Sequence, residues 1–351
     1  MNKSSLRIVY MGTPEFAVPT LRRLLEEGFH VVGVVTMPDK PVGRHQSEFT
    51  PSPVKQFALS RNIPVLQPEK LKNPTFLEEL RSLKADLQIV VAFRMLPEEV
   101  WAMPHLGTFN LHAALLPQYR GAAPINRAII NGEKQTGVTT FFLDKDMDTG
   151  KIIKRKATPI LDTENAGDVH DKLKMLGADL VVETVEDILS GHVHPIPQEE
   201  LQTSEPLHLA PKIFKETCRI DWTRGVKQTY DFVRGLAPRP GAWTVLSHGG
   251  KGLTLKIFAA EKELSPTLLT ERDGRSETFS ALPGREERKS FIAESPAESL
   301  GTLLSDGKTY LKVVLKDGCL SLKILQPAGK KRMEVADFLR GFRLDGTEQV
   351  V

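Results

Sequence analysis

Short apolar runs alternate with amphipathic segments through the first half of the chain. The runs are almost continuously hydrophobic, which is typical of strands covered on both faces, whereas the segments between them repeat apolar positions every three or four residues, as helices do. This alternation favours an α/β fold with a Rossmann-like, doubly wound, mostly parallel sheet. Strands are predicted at 6–11, 30–36, 63–66, 87–92, 137–143 and 152–160, with one more ending at 109–111.

Small polar residues followed by proline mark where the helices begin. Thr13 before Pro14 predicts a cap and a first helical position, for a helix that runs to about Glu27. One long helix is predicted at 163–189 from its apolar spacing. The cap-then-proline pattern, or a close relative of it, recurs at 52–53, 73–74 and 96–97.

The pattern changes after residue 191. Residues 192–211 are rich in Pro, Gln and Glu without periodicity, which predicts a linker between a first domain at 1–191 and a second at 212–351. Short strands with turn signals follow a predicted helix at 225–235 and favour a smaller β-barrel, interrupted by a polar insertion at about 264–296. These strands are predicted at 244–246, 253–260, 301–304, 310–314 and 319–325.

Length and charge fit this division. The chain has 351 residues, more than one hydrophobic core usually serves. Residues 1–207 hold 23 basic and 26 acidic side chains, and the remainder holds 24 and 18. The second domain is therefore the better candidate for binding phosphates, although an ordinary solvated surface would explain this charge equally well.

Membrane, disulfide and zinc proteins are disfavoured. The sequence has no secretory leader and no run of about 18 apolar residues, so neither export nor a membrane span is expected and a cytoplasmic location is predicted. Cys218 and Cys319 have no Cys or His neighbours at metal-binding spacing. Both cysteines are expected to be reduced thiols.

Candidate chemistry is concentrated in residues 107–150. Asn110 and His112 end a predicted strand and would point to the same face, because strand side chains alternate with period two. The carboxylates of Asp144, Asp146 and Asp148 follow in a later loop. An amide can donate to a developing oxyanion, an imidazole can donate or shuttle a proton, and a carboxylate can orient that imidazole. These are the groups needed to move an acyl group.

Plainer interpretations remain open for these residues. The Asn-x-His pair could be polar residues at a strand end, and the three aspartates could form a turn. Their spacing lacks the closing glutamate of a twelve-residue calcium loop, so no metal is predicted. A nicotinamide enzyme is disfavoured because Gly12-Thr13-Pro14 is not followed by the further glycines of GxGxxG.

Several sequence motifs are specific in their residue identities rather than in their spacing. They are YMGTPEFAVPTL near the start, NLHAALLPQYRGAAPINRAI and the later DTG in the middle, and LQPAGKKRM and DFLRGFRL near the end. Together they resemble the 10-formyltetrahydrofolate-dependent formyltransferases. The resemblance implies a Rossmann-like catalytic domain followed by an OB-fold-like domain.

The resemblance also implies roles for particular residues. Asn110, His112 and Asp148 match the catalytic positions of the family. The family's folate-bordering string corresponds to residues 114–117, with Ala114 where serine is common, and the loop FRML departs from the usual tyrosine-glycine wording. The implied folate contacts are Phe93, Leu96, Ala114, Leu115, Leu116 and Pro117.

Implied tRNA contacts fall in both domains. Arg44, flanked by Lys40 and Lys55, matches a family arginine that enters the acceptor end of tRNA, although HQSEFT stands where a strongly basic stretch is common. In the predicted barrel, Lys330, Lys331 and Arg332 would contact phosphates.

The implied reaction is transfer of the formyl group of 10-formyltetrahydrofolate to the α-amino group of methionine on initiator methionyl-tRNA, by a monomer without a metal. A small amine such as glycinamide ribonucleotide or a nucleotide amino sugar is the alternative acceptor, and the catalytic residues do not discriminate between them. A non-catalytic RNA-binding protein on the same scaffold is a further alternative. The basic second domain and the strings near the end favour tRNA.

Overall fold

The computed structural model describes residues 2–42, 48–201, 206–248, 251–264, 300–344 and 348–351. Arg44 and all but the first residue of the predicted insertion at 264–296 lie outside these ranges. The chain divides into two units, one of residues 1–128 and 133–213 and the other of residues 129–132 and 214–351. The described part of the predicted linker belongs to the first unit.

The first unit alternates strands and helices. Its strands, in chain order, are β1 (Arg7–Gly12), β2 (His30–Val35), β3 (Lys40–Val42), β4 (Glu48–Thr50), β5 (Val65–Leu66), β6 (Leu87–Val91), β7 (Thr108–His112), β8 (Arg120–Gly121), β9 (Gln135–Phe142), β10 (Ile152–Pro159) and β11 (Leu209–Ala210). The helices that begin in it are α1 (Val18–Glu26), α2 (Pro53–Ser60), α3 (Pro74–Ser82), α4 (Glu98–Trp101), α5 (Pro124–Ile130) and α6 (Ala166–Ser190).

The main sheet has the order β10-β9-β7-β6-β1-β2-β5 in the described part of the chain. Pairing is parallel from β5 to β7 and antiparallel from β7 to β10. The prediction of a mostly parallel, doubly wound sheet is confirmed. After β5 the chain crosses to the other side of β1, so a crevice is expected at the carboxyl ends of β1 and β6, where open α/β sheets bind ligands.

Of the four predicted helix starts, those at 52–53 and 73–74 are confirmed and the cap at Thr13 is wrong. At 96–97 a helix does open, but α4 begins at Glu98 with Pro97 as its N-cap and without a side-chain cap. Ser52 and Asn73 cap α2 and α3 with side-chain oxygens that accept from Lys55 N and Thr75 N. Thr13 does not cap a helix. A 3-10 turn at Glu15–Ala17 precedes α1, and the N-cap of that turn is Pro14. The Thr13 hydroxyl instead accepts from the Met37 main-chain N–H at 3.4 Å.

The second unit is a small antiparallel barrel. Its strands are β12 (Ala242–His248), β13 (Lys251–Leu264), β14 (Leu303–Ser305), β15 (Leu311–Leu315), β16 (Gly318–Pro327), β17 (Met333–Glu334) and β18 (Gln349–Val350), with helices α7 (Val226–Leu236) and α8 (Val335–Gly341). The sheet order is β14-β15-β16-β13-β12-β18, with β17 beside β16. A bridge between Thr302 and Gln349 joins its two edges, so the sheet nearly closes, as an OB-fold-like barrel does.

No helix in the described part of the chain has the length and apolar character needed to cross a membrane.

Candidate active site

A cavity of about 570 Å³ lies in the first unit at the carboxyl ends of β1, β6 and β7. Asn110, His112 and Asp148 all line it. The two side chains from β7 lie two residues apart on one strand, and Asp148 comes from the loop between β9 and β10. The structure therefore brings together the three residues that the sequence predicts to act together.

Asn110 presents a free amide to this cavity. Its strand neighbours are Val90 on the parallel side and Phe141 on the antiparallel side. No hydrogen bond joins its side chain to another residue of the described chain, although the residue is half-buried. An amide kept unpaired in a cavity is available to donate to a ligand oxygen.

His112 is held by one main-chain carbonyl. Its side chain is 6% exposed, and Nε2 lies 2.8 Å from the carbonyl oxygen of Tyr119. A carbonyl only accepts, so Nε2 carries a proton, which leaves Nδ1 as the unprotonated nitrogen of the neutral ring. Nδ1 lies 3.8 Å from Oδ2 of Asp148. Protonation of Nδ1 would therefore create a donor beside a carboxylate.

Asp148 is placed by an unusual backbone conformation. Its φ is 57°, in the left-handed region that aspartate tolerates better than most residues. The main-chain N–H of Gly121 donates to Oδ2 at 3.0 Å, so the oxygen that faces His112 also has a fixed donor. The backbone conformation and this hydrogen bond together hold the carboxylate beside His112.

The other two aspartates of the predicted cluster also line the cavity, but as exposed side chains. A different group, Glu15, His170 and Asp171, has the only metal-like geometry among the described residues. The Lys174 ammonium already lies 2.7 Å from Glu15 and 2.9 Å from Asp171, where a cation would be.

The predicted folate contacts divide into two sets. Phe93 and Leu96 line the cavity, on a wall with Trp101 and Leu143 that packs against the core. Residues 114–117 do not line it. Thr139 Oγ1 donates to the Ala114 carbonyl at 2.6 Å and accepts from the Leu116 N–H at 3.1 Å, so this string is bonded to β9.

Two further residues of the cavity are ones that the sequence does not single out. Trp101 lies at the end of α4, and its position after the apolar 87–92 run and Pro97 could have suggested a wall of the crevice. His170 has the sequence pattern of a surface helix residue, but it lines the cavity with its ring centroid 5.1 Å from that of Phe16. Nothing in its own helix distinguishes it.

The predicted tRNA contacts are only partly described. Arg44 and the side chain of Lys40 lie outside the described residues. Lys55 Nζ lies 2.5 Å from Asp39 Oδ2, and this ammonium, with a smaller contribution from Gln67, lowers the pKa of the Asp39 carboxyl.

In the second unit, Lys330 and Lys331 are exposed beside Arg332, whose guanidinium lies over the Phe258 ring at 3.5 Å from its centroid. The three cations therefore form an exposed basic surface on the barrel.

Comparison with known proteins matches both units. The formyl transferase family model matches residues 6–185, and the model of the formyl transferase C-terminal domain matches residues 212–343. The chain belongs to the formyl transferase family. It is 56% identical to the methionyl-tRNA formyltransferase of Parabacteroides distasonis over 348 residues, which is 98% of each chain.

Solved structures of formyl transferases and related proteins share the fold. HypX from Aquifex aeolicus, in complex with tetrahydrofolic acid, superposes with a TM-score of 0.58 at 19% identity, over 96% of this chain and 47% of that one. The N-formyltransferase from Helicobacter canadensis, in complex with folinic acid and dTDP-3-aminofucose, superposes with a TM-score of 0.58 at 19% identity, over 93% and 100% of the two chains. At this identity the likeness concerns the fold alone.

Proposed function

We propose that this formyl transferase moves the formyl group of 10-formyltetrahydrofolate to the α-amino group of methionine on initiator methionyl-tRNA. The observation that carries the chemistry is the convergence of Asn110, His112 and Asp148 on one cavity at the sheet edge. The observation that favours this acceptor is the 56% identity, over nearly the whole chain, to a protein named for it.

The three side chains have complementary roles in the transfer. When the acceptor amine bonds to the formyl carbon, the carbonyl oxygen gains negative charge. The Asn110 amide and the protonated Nδ1 of His112 donate to that oxygen. Preorganised donors of this kind are each worth roughly 3 to 4 kcal/mol, or about 10² to 10³ in rate.

Asp148 balances the charge and the protons. Its carboxylate lies 3.8 Å from Nδ1, so it supplies a negative charge beside the protonated ring of His112 during the transfer. It is also placed to take the proton that the amine loses as the new bond forms. When the oxygen returns its electron pair, the bond between the formyl carbon and the donor nitrogen breaks, and that nitrogen takes the proton that Asp148 received from the amine. No covalent bond to the protein is needed, because the amine itself is the nucleophile.

The cavity suits the formyl donor. Small-molecule sites have volumes of about 300 to 1,000 Å³ and mostly apolar walls with a few polar groups. Phe93, Leu96 and Trp101 supply an apolar wall for a flat ring system, and the catalytic side chains supply the polar groups. We propose the Phe93 side of the cavity for the folate ring.

We propose that the acceptor tRNA contacts both units. Arg44 and Lys40 remain proposals for its acceptor end, and the basic surface of Lys330, Lys331 and Arg332 is proposed for its phosphates. An enzyme that acts on aminoacyl-tRNA works where that tRNA is made, so we also propose a cytoplasmic location. We propose a monomer.

One acceptor competition tests the function. Purified protein is given 10-formyltetrahydrofolate with a labelled formyl group, and methionyl-tRNA, free methionine, glycinamide ribonucleotide and a nucleotide amino sugar as competing acceptors. Label should appear on initiator methionyl-tRNA. Preferential label on a small amine would replace the proposed acceptor, and label on none would refute formyl transfer.

The proposed donor wall gives a binding prediction. Phe93→Ala should raise the KM for 10-formyltetrahydrofolate about tenfold, because removing buried aromatic area costs about 1.5 kcal/mol or more. The contact is the same in the ground and transition states, so kcat should stay within about threefold. The matched control is Leu59→Ala, at a side chain 54% exposed on α2. Unchanged KM in Phe93→Ala would mean that the folate ring lies elsewhere.

A further inference from the structure

Gln198 is a buried polar residue that lies outside the predicted catalytic group. It is 2% exposed and stands at the start of a 3-10 turn, Gln198–Glu200, within the segment that the sequence indicates as a linker. A buried amide must find hydrogen-bond partners, because leaving one unmade costs about 1 to 3 kcal/mol. Where those partners lie shows what the residue holds in place.

Both ends of the Gln198 amide are satisfied, and one end holds the catalytic loop. Nε2 donates to the main-chain carbonyl of Asp148 at 2.9 Å and to that of Gly150 at 2.8 Å. Oε1 accepts from Arg120 Nε at 3.0 Å and Nη2 at 2.7 Å. The guanidinium fixes which way the amide points, since only the oxygen can accept from it.

The loop that Gln198 contacts, between β9 and β10, includes a residue with a strained backbone. Asp148 has a φ of 57°, and such left-handed backbone persists only where the surroundings impose it. The Gln198 contact is to the carbonyl of this same residue. On the far side, Gly121 N–H fixes the carboxylate, and Gly121 follows directly after Arg120.

The rest of the segment supports the same group. Ile196 and Ile152 exchange two main-chain hydrogen bonds of 2.9 Å, which places Gln198 beside the start of β10. Further along, β11 pairs with β8, and the carbonyl of His208 accepts from Tyr119 N at 2.7 Å. Tyr119 is the residue whose own carbonyl holds His112.

We propose that Gln198 is a positioning residue for formyl transfer, which holds the main chain at Asp148 and Gly150 so that the Asp148 carboxylate stays beside His112. This inference rests on the proposed function. It assigns a role in catalysis to a segment that composition alone predicts to be a linker. Gln198 touches no substrate in this role, and it acts through the loop.

The test separates turnover from binding in two variants. Gln198→Leu removes all four hydrogen bonds, and Gln198→Glu keeps an acceptor for Arg120 but loses the donor to the loop. Both should lower kcat about 10- to 100-fold, because misplacing a catalytic group by about 1 Å can cost 10² in rate. The KM for 10-formyltetrahydrofolate should stay within about threefold. Gln198→Glu decides the matter if Gln198→Leu does not fold.

A matched control identifies a merely structural role. Thr184 is fully buried in α6 and shares a 2.8 Å hydrogen bond with Thr140, so Thr184→Val also removes a buried hydrogen bond, outside the cavity lining. It should leave kcat within about threefold at a comparable loss of thermal stability.

A double variant tests whether Gln198 acts through Asp148. In an Asp148→Asn background, adding Gln198→Leu should change kcat by less than about threefold, since the effects of mutations at interacting residues are not additive.

Wild-type transfer to methionyl-tRNA is measured first, so failure of the proposed function is recognised separately. If another amine proves to be the acceptor, kcat is measured with that amine. The inference is overturned if kcat of Gln198→Glu stays near that of the wild type, if kcat falls equally in Thr184→Val, or if the losses from Asp148→Asn and Gln198→Leu multiply.

Discussion

Asn110→Ala should lower turnover about 10²- to 10³-fold and leave the free energy of unfolding within about 0.5 kcal/mol of the wild-type value. The reason lies in the unpaired state of the amide. No hydrogen bond links the Asn110 side chain to the rest of the described chain, so folding gains little from it. Its donor finds a partner only when charge develops on the formyl oxygen. Single-turnover formyl transfer and denaturant unfolding measure the two quantities.

The isosteric change Asn110→Asp sharpens this experiment. It keeps the shape of the side chain but replaces a donor with a carboxylate that repels an oxyanion, so its loss should equal or exceed that of Asn110→Ala. A donor role predicts this order, whereas a role in shaping the cavity predicts that Asn110→Asp is the milder change. Turnover of Asn110→Ala within about fivefold of the wild type would remove the amide from the mechanism.

The sheet of the first unit could be predicted because each strand carries its own signal. The segments 8–11 and 87–91 are buried on both faces, and burial of that kind leaves a nearly continuous apolar string in the sequence. The caps at Ser52 and Asn73 could also be predicted, because each side chain bonds to a main-chain N–H only two or three residues further along the chain. The predicted cap at Thr13 was wrong because tertiary contacts set the turn after β1. The Thr13 hydroxyl bonds to the segment after β2.

Short elements could not be predicted from periodicity. Helix α8 has seven residues, and β8 and β11 have two each. Two residues carry no period at all, and the β8 and β11 pairing joins positions about ninety residues apart. Residues 192–211 therefore have the pattern of a linker although their described part packs into the first unit.

The catalytic residue types and part of their arrangement were predictable. Alternation along one strand is enough to predict a common face for Asn110 and His112. The proton-bearing nitrogen of His112 depends on the Tyr119 carbonyl, which alternation cannot locate. The role of Gln198 could not be predicted for the same reason, since its hydrogen-bond partners lie about fifty and eighty residues away along the chain. A buried glutamine in an irregular segment has no sequence signal.

Gly150→Ala should damage both stability and turnover. An alanine Cβ at this position would lie 1.7 Å from the main-chain oxygen of Phe142 and 2.9 Å from its carbonyl carbon. Neither atom can rotate away, so either the end of β9 or the loop that carries Asp148 must move. Overpacking of this kind costs typically 1 to 3 kcal/mol, and we expect at least about 2 kcal/mol here. Denaturant unfolding measures this loss.

Turnover should fall by more than about tenfold in the same variant, because Asp148 lies two residues away and Gln198 donates to the carbonyl of Gly150 itself. The control is Gly341→Ala at the end of α8, where an added Cβ meets no described atom within 4 Å. Alanine is the better helix former, so this control should be neutral or slightly more stable. If Gly150→Ala loses stability but keeps wild-type kcat, the strand yields rather than the loop, and tight packing at Gly150 does not position Asp148.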